Sequence, residues 1–186
     1  MSKKIQDYLN TLRVRDDSHE HIVRSPLRVR KEGSATCIEG ALLAASMLKA
    51  QGARPLLLDL KVGARNNNDV DHVVALFKKN GAWGALSMTS HAVLRYRDPI
   101  YKSVRELAMS YFHEYFTDDG KKNLRSFSKP FNVDSYAIKN WETSTDDLFE
   151  IAVALDDSPH ENILTKEMER DLRRADLIEI RASNTL

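Results

Sequence analysis

The sequence predicts an α+β fold in which a central helix carrying Cys37 packs on an antiparallel β-meander, with additional C-terminal helices. Three observations favour this fold. A capped apolar helix begins at Thr36, three short apolar runs follow it, and an Asn80-Gly81 pair joins two of those runs. We expect one domain over residues 1–186, with a core at about 30–120 and a helical part at about 121–186.

The composition is that of an ordinary globular protein. Of the 186 residues, 42% are hydrophobic and 30% are charged, and the formal net charge is +1. The first 17 residues contain no apolar segment typical of a secretory signal, and no apolar run approaches the ~18 residues of a membrane span. A single cysteine excludes an internal disulfide. We therefore expect a cytoplasmic protein with no membrane partner.

The first 33 residues predict a short helix followed by an irregular connector. Ile5, Leu9 and Leu12 have helical spacing within residues 3–13. Residues 18–33 contain a basic stretch, Arg24 to Lys31, that contains no aromatic residue. We interpret it as a solvated segment, with an RNA contact as the alternative, and expect no nucleic-acid partner.

The central helix is the best-defined element of the sequence. Thr36 and Glu39 have the spacing of a capping box, in which each side chain bonds the backbone N–H of the other residue. Apolar residues then keep one face of the helix hydrophobic as far as Leu48, and Gly52 supplies a stop signal. This pattern predicts a helix over about 37–50.

Three runs with strand character follow this helix. They cover residues 55–62, 71–77 and 83–88, and Asn80-Gly81 joins the second to the third as a two-residue hairpin turn. Asp59 is the one acidic residue within the first run, which is apolar apart from Asp59 and Lys61.

The remainder of the chain is mainly helical in pattern. Ser103 and Glu106 form a second capping box, which predicts a helix through Tyr115 that ends near residues 118–120. We expect a loop over 121–135, a helix or short strand over 136–141, a helix over 146–155 and a charged surface helix over 165–176.

The position of Cys37 suits a nucleophile. With Thr36 as the cap, Cys37 is the first residue of the helix, where backbone N–H groups and the positive end of the helix dipole favour a thiolate. The same groups can stabilise an oxyanion beside the sulfur. The alternative is that Cys37 is a small buried residue of an alanine-rich helix.

His72 can be placed by the register of the hairpin. If Lys79 pairs with Ala82, then His72 lies opposite Thr89, and His72, Ser87 and Thr89 share one face of the sheet. This arrangement can combine a nucleophile from a helix with a base from a strand and an orienting group from the next strand. The alternative is a structural, hydrogen-bonded histidine.

Three segments of the chain resemble the core blocks of the transglutaminase-like (papain-related) cysteine superfamily. They are residues 33–48, which contain Cys37, residues 71–73, which contain His72, and Gly81-Ala82-Trp83. The Cys-x-Glu-Gly-Ala run from Cys37 and the segment 97–101 resemble a poorly characterised microbial branch of it. The likeness covers about residues 30–90.

The resemblance implies a nucleophile at Cys37 and a base at His72, but the position of the usual triad aspartate falls on Ser87. A serine can accept a hydrogen bond from imidazole without the charge of a carboxylate. Either Ser87 serves in this role, or Asp59 substitutes as the acid, or the site is not catalytic. The alternative for Asp59 is a salt bridge with Arg95 or Arg97.

Two functions of different classes follow. The first is cysteine-dependent acyl transfer or hydrolysis of an amide or peptide bond through a thioester, with a peptide, a protein or a small amide as substrate. The second is a non-catalytic module that binds a peptide or protein partner in the cleft. No cofactor or metal is expected, since the chain has no calcium-loop motif and His19 and His21 have no third ligand at recognisable spacing. The sequence leaves the oligomeric state open.

Overall fold

The computed structural model describes residues 2–15, 22–63, 71–136 and 138–183. Within them the helices are α1 (Ser2–Leu9), α2 (Pro26–Glu32), α3 (Cys37–Lys49), α4 (Val104–Phe112), α5 (Phe149–Asp156), α6 (Lys166–Arg170) and α7 (Leu177–Ser183). The strands are β1 (Arg13–Val14), β2 (Ser34–Ala35), β3 (Leu56–Val62), β4 (His72–Lys79), β5 (Ala82–Leu86), β6 (Arg97–Tyr101), β7 (Leu124–Ser128), β8 (Phe131–Asn132) and β9 (His160–Asn162).

The main sheet contains seven strands, and its described pairings are antiparallel. Six strands follow the order β6-β5-β4-β3-β7-β9, and β8 pairs with one end of β3. The short strands β1 and β2 form a separate parallel pair just before α3. The predicted meander is therefore the centre of a wider sheet.

Helices cover both faces of this sheet. On one face, α1, α2, α3 and α5 pack against alternate residues of the strands, such as Leu57, Val73 and Ala75. On the other face, α4 packs against the intervening residues, such as Leu58 and Val74. This division follows from the alternation of side chains along a strand. The α+β class and the packing of the Cys37 helix on the sheet are confirmed.

None of the described helices has the length and apolar character needed to cross a membrane.

The predicted hairpin register is correct. Lys79 pairs with Ala82 and Ala75 with Leu86. Asn80 and Gly81 both have positive φ angles, 51° and 82°, as a two-residue turn of this type requires. The strand after the turn ends at Leu86, two residues earlier than expected.

The interpretation of residues 18–33 as an irregular, solvated connector is wrong for the described part. Ser25 caps α2 by accepting from the N–H of Arg28, and Gly33 ends the helix in the left-handed conformation. Arg24 is buried and pairs with Glu39 rather than lying in solvent. The sequence pattern did not reveal this buried partner. Residues 16–21, with His19 and His21, lie outside the described part of the chain.

The C-terminal part is not purely helical. Strand β7 lies within the segment 121–135 that was expected to be a loop, and β9 pairs with β7. Helix α4 ends at Phe112, whereas it was expected to continue through Tyr115 and end near residues 118–120. The expected surface helix is reduced to α6, followed by α7. The described residues of 136–141 contain neither a helix nor a strand, and 139–141 form a turn. Strands of five and three residues carry only a weak pattern, which explains why β7 and β9 were not predicted.

Candidate active site

Cys37 and His72 line the same cavity. Its volume is about 250 Å³, and it lies at the end of the sheet where β3 stops at Val62 and β4 begins at His72. His72 pairs in register with Leu60, on the face covered by α4, whereas Cys37 begins the helix on the opposite face. Residues from both faces of the sheet therefore line this one space.

Cys37 is held at the first position of α3 by the predicted capping box. The hydroxyl of Thr36 accepts from the N–H of Glu39 at 3.4 Å, and the carboxylate of Glu39 accepts from the N–H of Thr36 at 2.9 Å. These bonds fix the backbone on both sides of Cys37. The thiol, which is partly exposed, therefore lies beside the positive end of the helix dipole.

A buried ion-pair network anchors this helix end. The carboxylate of Glu39 accepts from Arg24 Nε at 2.9 Å and Nη2 at 2.8 Å, and from Arg15 Nη2 at 3.0 Å. Burial opposes ionisation of Glu39, but the bonds from Arg24, from the N–H groups of Thr36 and Arg24, and from Arg15 outweigh it and lower its pKa. Arg24 also donates to the carbonyl of Ser34 at 2.9 Å, so the network holds the segment that precedes Cys37.

The hydrogen bonds around His72 determine which of its nitrogens carries the proton. Ser87 Oγ donates its one proton to the carbonyl of Leu94 at 2.7 Å. Ser87 can therefore only accept from His72 Nε2, which lies 2.8 Å from Oγ. The proton of the neutral imidazole is then on Nε2, and Nδ1 has the lone pair. The prediction that His72 and Ser87 lie on the same face of the sheet agrees with this hydrogen bond.

His72 is uncharged at neutral pH. Burial is the largest cause that lowers the pKa of His72, to about 4; the charges of His91 and Arg97 act in the same direction, and a bond to the Leu94 carbonyl opposes them. The neutral imidazole has a lone pair that can accept a proton, but a pKa this low makes it a weak base, so proton transfer from a thiol would have to accompany attack on the substrate.

Gln6 was not predicted from the sequence. From α1, its amide donates Nε2–H to the carbonyl of Ser87 at 2.8 Å and accepts the N–H of Ser87 at 3.0 Å. Gln6 is 6% exposed, so both bonds are shielded from water. The signal was present in the sequence, because Gln6 lies next to Ile5 and three residues before Leu9 on the apolar face of the helix.

The structure does not bring Asp59 to His72. Asp59 pairs in register with Val73, so its side chain is on the sheet face opposite to that of His72. Its carboxylate bonds His160 Nε2 at 3.1 Å. Asp59 as the substitute acid is therefore wrong in this geometry. The alternative salt bridge with Arg95 or Arg97 is also wrong, since the described partner of Asp59 is His160.

The far wall of the cavity comes from the segment after α4 and from α7. Tyr115, Phe116 and Thr117 line it on one side, and Ile180 and Ser183 on another. Thr89, predicted on the His72 face, lines the cavity as well. The C-terminal part of the chain thus covers part of the cleft.

Comparison with known proteins gives no family for this chain. No family model matches the sequence, and no curated protein matches it.

Proposed function

We propose that the protein is a transglutaminase-like cysteine enzyme that cleaves or transfers an acyl group from an amide or peptide bond. The observation that carries this proposal is the shared cavity, with Cys37 at a helix N-terminus and a neutral His72 whose hydrogen bonds leave the lone pair on Nδ1. In triad chemistry the third group serves to fix the tautomer and orientation of the base. Ser87 does this here without a carboxylate.

The reaction has two steps. Cys37 Sγ attacks the carbonyl carbon as its proton passes to His72, and the positive end of α3 favours the developing oxyanion. The C–N bond breaks, the amine leaves with that proton, and a thioester to Cys37 remains. His72 then removes a proton from the acceptor, which attacks the thioester and regenerates the thiol. Water as the acceptor gives hydrolysis, and an amine gives transfer.

The volume of the cavity favours either a small substrate or a larger one of which a single side chain enters the cavity. At about 250 Å³ it is below the ~300–1,000 Å³ of a pocket that encloses a drug-sized ligand. A single side chain of a peptide or protein, or a small amide, fits this space better than a large molecule. The wall is mixed, with apolar Met88 and Val93 and polar Thr89 and His91.

One observation favours the second candidate function, a binding module without catalysis. His72 is paired with a neutral serine, and a serine cannot stabilise an imidazolium as a carboxylate does. Such a module would hold a peptide or protein segment in the same cavity and would not use the thiol.

The experiment that tests the proposal is intact-protein mass spectrometry after incubation with a panel of peptide amides, glutamine-containing peptides and small aryl amides. We expect an added acyl mass on Cys37 that is absent in Cys37→Ala and forms more slowly in His72→Ala. The binding module predicts no covalent product, together with peptide affinity that survives in Cys37→Ala. A panel that neither acylates nor binds the protein would contradict both functions.

A further inference from the structure

A cluster of three carboxylates lies on the face of the sheet opposite to His72. Asp59 is in β3, Asp71 directly precedes β4, and Asp156 is the last residue of α5. Each offers one oxygen, and these three oxygens all lie within 4.8 Å of one another. Three segments distant in sequence therefore bring carboxylates to one point, where mutual repulsion opposes their approach.

One carboxylate oxygen of Asp59, the buried member of this cluster, has no partner among the described residues. Asp59 is 2% exposed, and its Oδ2 is bonded to His160 Nε2. Its Oδ1 has no hydrogen-bond partner among the described residues. A buried carboxylate oxygen without a donor is rare and costly, and a bound ion is one of the ways in which such an oxygen is satisfied.

The electrostatic environment of Asp59 favours a cation. The carboxylates of Asp71 and Asp156 lie beside the buried carboxylate of Asp59, so three acidic side chains share one small region. Lys61 pairs with Asp156 at 2.8 Å, but it makes no hydrogen bond to the unpartnered oxygen of Asp59. His160 and Lys61 thus each bind one carboxylate of the cluster, and Asp59 Oδ1 is left without a donor among the described residues.

Two carboxylates of the cluster are already oriented by other groups. Asp71 Oδ1 accepts the N–H of Val62 at 2.8 Å, and Asp59 is held by His160 on its other oxygen. Bonds of this kind to the ligands are typical of metal sites, because they fix the direction in which the carboxylates point.

We propose that Asp59, Asp71 and Asp156 bind a hard divalent cation such as Ca²⁺, Mg²⁺ or Mn²⁺. All three protein ligands are carboxylate oxygens, which these ions prefer. At Ca–O distances of about 2.3–2.6 Å, oxygens on opposite sides of one ion are about 4.6–5.2 Å apart and neighbouring ones are closer. Oxygens within 4.8 Å of one another can therefore share an ion.

The ion would connect the end of β3 to the start of β4. Asp71 is adjacent to His72 in the chain, and its partner Val62 lines the cavity. We therefore assign the ion a structural role beneath the active-site end of the sheet. The proposal does not depend on the proposed acyl-transfer function, and its test does not use activity.

The test uses the full chain after removal of metals with a chelator. Binding is measured by titration with Mn²⁺, followed by electron paramagnetic resonance of the unbound ion. Thermal unfolding is measured without divalent ions and with Ca²⁺, Mg²⁺ or Mn²⁺ at about 1 mM, at matched ionic strength. The variants are Asp59→Asn and Asp156→Asn, and the matched control is the exposed neighbour Asp157→Asn.

We expect about one Mn²⁺ per chain and a rise of several degrees in Tm for the native chain and for Asp157→Asn. Asp156→Asn should lose both effects and remain folded, because Asp156 is partly exposed at a helix end. Asp59→Asn should lose them as well. The proposal is overturned if the native chain neither binds Mn²⁺ nor gains Tm with any of the three ions up to about 10 mM. It is also overturned if both cluster variants keep the same response, which would place the ion elsewhere.

Discussion

His72 donates from Nε2 to the hydroxyl of Ser87, 2.8 Å away, and that hydroxyl donates a hydrogen bond to the Leu94 carbonyl. The two hydrogen bonds run in one direction, from His72 to Ser87 and from Ser87 to Leu94, and they leave the lone pair of the imidazole on Nδ1. In the proposed enzyme, a serine with a fixed acceptor would perform the orienting part of the task that an aspartate performs in a triad. It does not supply the charge.

Replacing Ser87 with alanine tests this role. The variant leaves the Nε2–H of a buried histidine without its serine acceptor, so we expect a loss of about 1–3 kcal/mol in the free energy of unfolding. We also expect slower alkylation of Cys37, since the imidazole is no longer held. Ser90→Ala is the matched control, because Ser90 lines the same cavity but is exposed. Equal alkylation rates in the two variants would mean that Ser87 does not position His72.

Gln6 should hold the backbone of Ser87 in place and so support the position of the Ser87 hydroxyl beside His72. Gln6→Ala removes two buried bonds to the backbone of Ser87, and we expect it to destabilise the fold by about 1–3 kcal/mol in urea unfolding. Because the Ser87 backbone then loses its anchor, alkylation of Cys37 should slow as well. Lys4→Ala, on the exposed face of α1, should change neither quantity. A stability loss with an unchanged alkylation rate would limit Gln6 to a purely structural role.

The Glu39 network should make stability depend on pH in the acid range. The pKa of Glu39 is lowered in the folded protein, so the stabilisation is complete above the unfolded-state value of about 4.3 and is lost as pH falls through the folded-state value. Glu39→Gln leaves the buried Arg24 without its main counter-charge and should cost about 3–5 kcal/mol at pH 7.

The two measurements are urea unfolding at pH 7 and at lower pH. The difference between the native chain and Glu39→Gln should shrink as pH falls. Glu32→Gln is the control, since Glu32 also pairs with Arg24 but is exposed. A difference that stays constant down to about pH 3 would contradict an ionised Glu39 as the stabilising species.

Gly40 permits the close packing of α3 near the active site. A Cβ at this position would lie 2.5 Å from the Cβ of Met88. In an ordinary helix, alanine is favoured over glycine by about 0.8–1.0 kcal/mol. Here the overlap with Met88 outweighs that gain, and we expect Gly40→Ala to destabilise the fold by about 1–3 kcal/mol. Ser46→Ala in the same helix should have a small effect. A stabilised Gly40→Ala variant would show that the contact relaxes freely.

The sequence predicted the centre of this fold because local patterns there agree with tertiary packing. The capping box of Thr36 and Glu39, the Asn80-Gly81 turn and the resulting register are local signals, and each is present in the structure. They placed His72 and Ser87 on one face. Residues that act over long sequence separations could not be found in this way. The contact of Gln6 with Ser87 and that of Arg24 with Glu39 depend on how distant helices dock.

Asp59 shows the limit of reasoning from a single strand. Its polarity in an apolar run correctly marked an unusual position, but the residue was assigned to the wrong neighbour. Its partner His160 is in β9, a three-residue strand whose pattern is too short to identify. The strand order, in which β7 and β9 extend the sheet beyond β3, is what brings the two residues together.

The rate of alkylation of Cys37 by iodoacetamide at pH 7.5 tests the central claim most directly. It should be compared among the native chain, His72→Ala and His91→Ala, with circular dichroism to establish that each variant is folded. His91 is the matched control, because it lines the same cavity but is exposed. If His72 is the base for Cys37, its removal should slow the reaction by about tenfold or more, and removal of His91 should change it little. Equal rates in a folded His72→Ala variant and the native chain would contradict a Cys37–His72 pair.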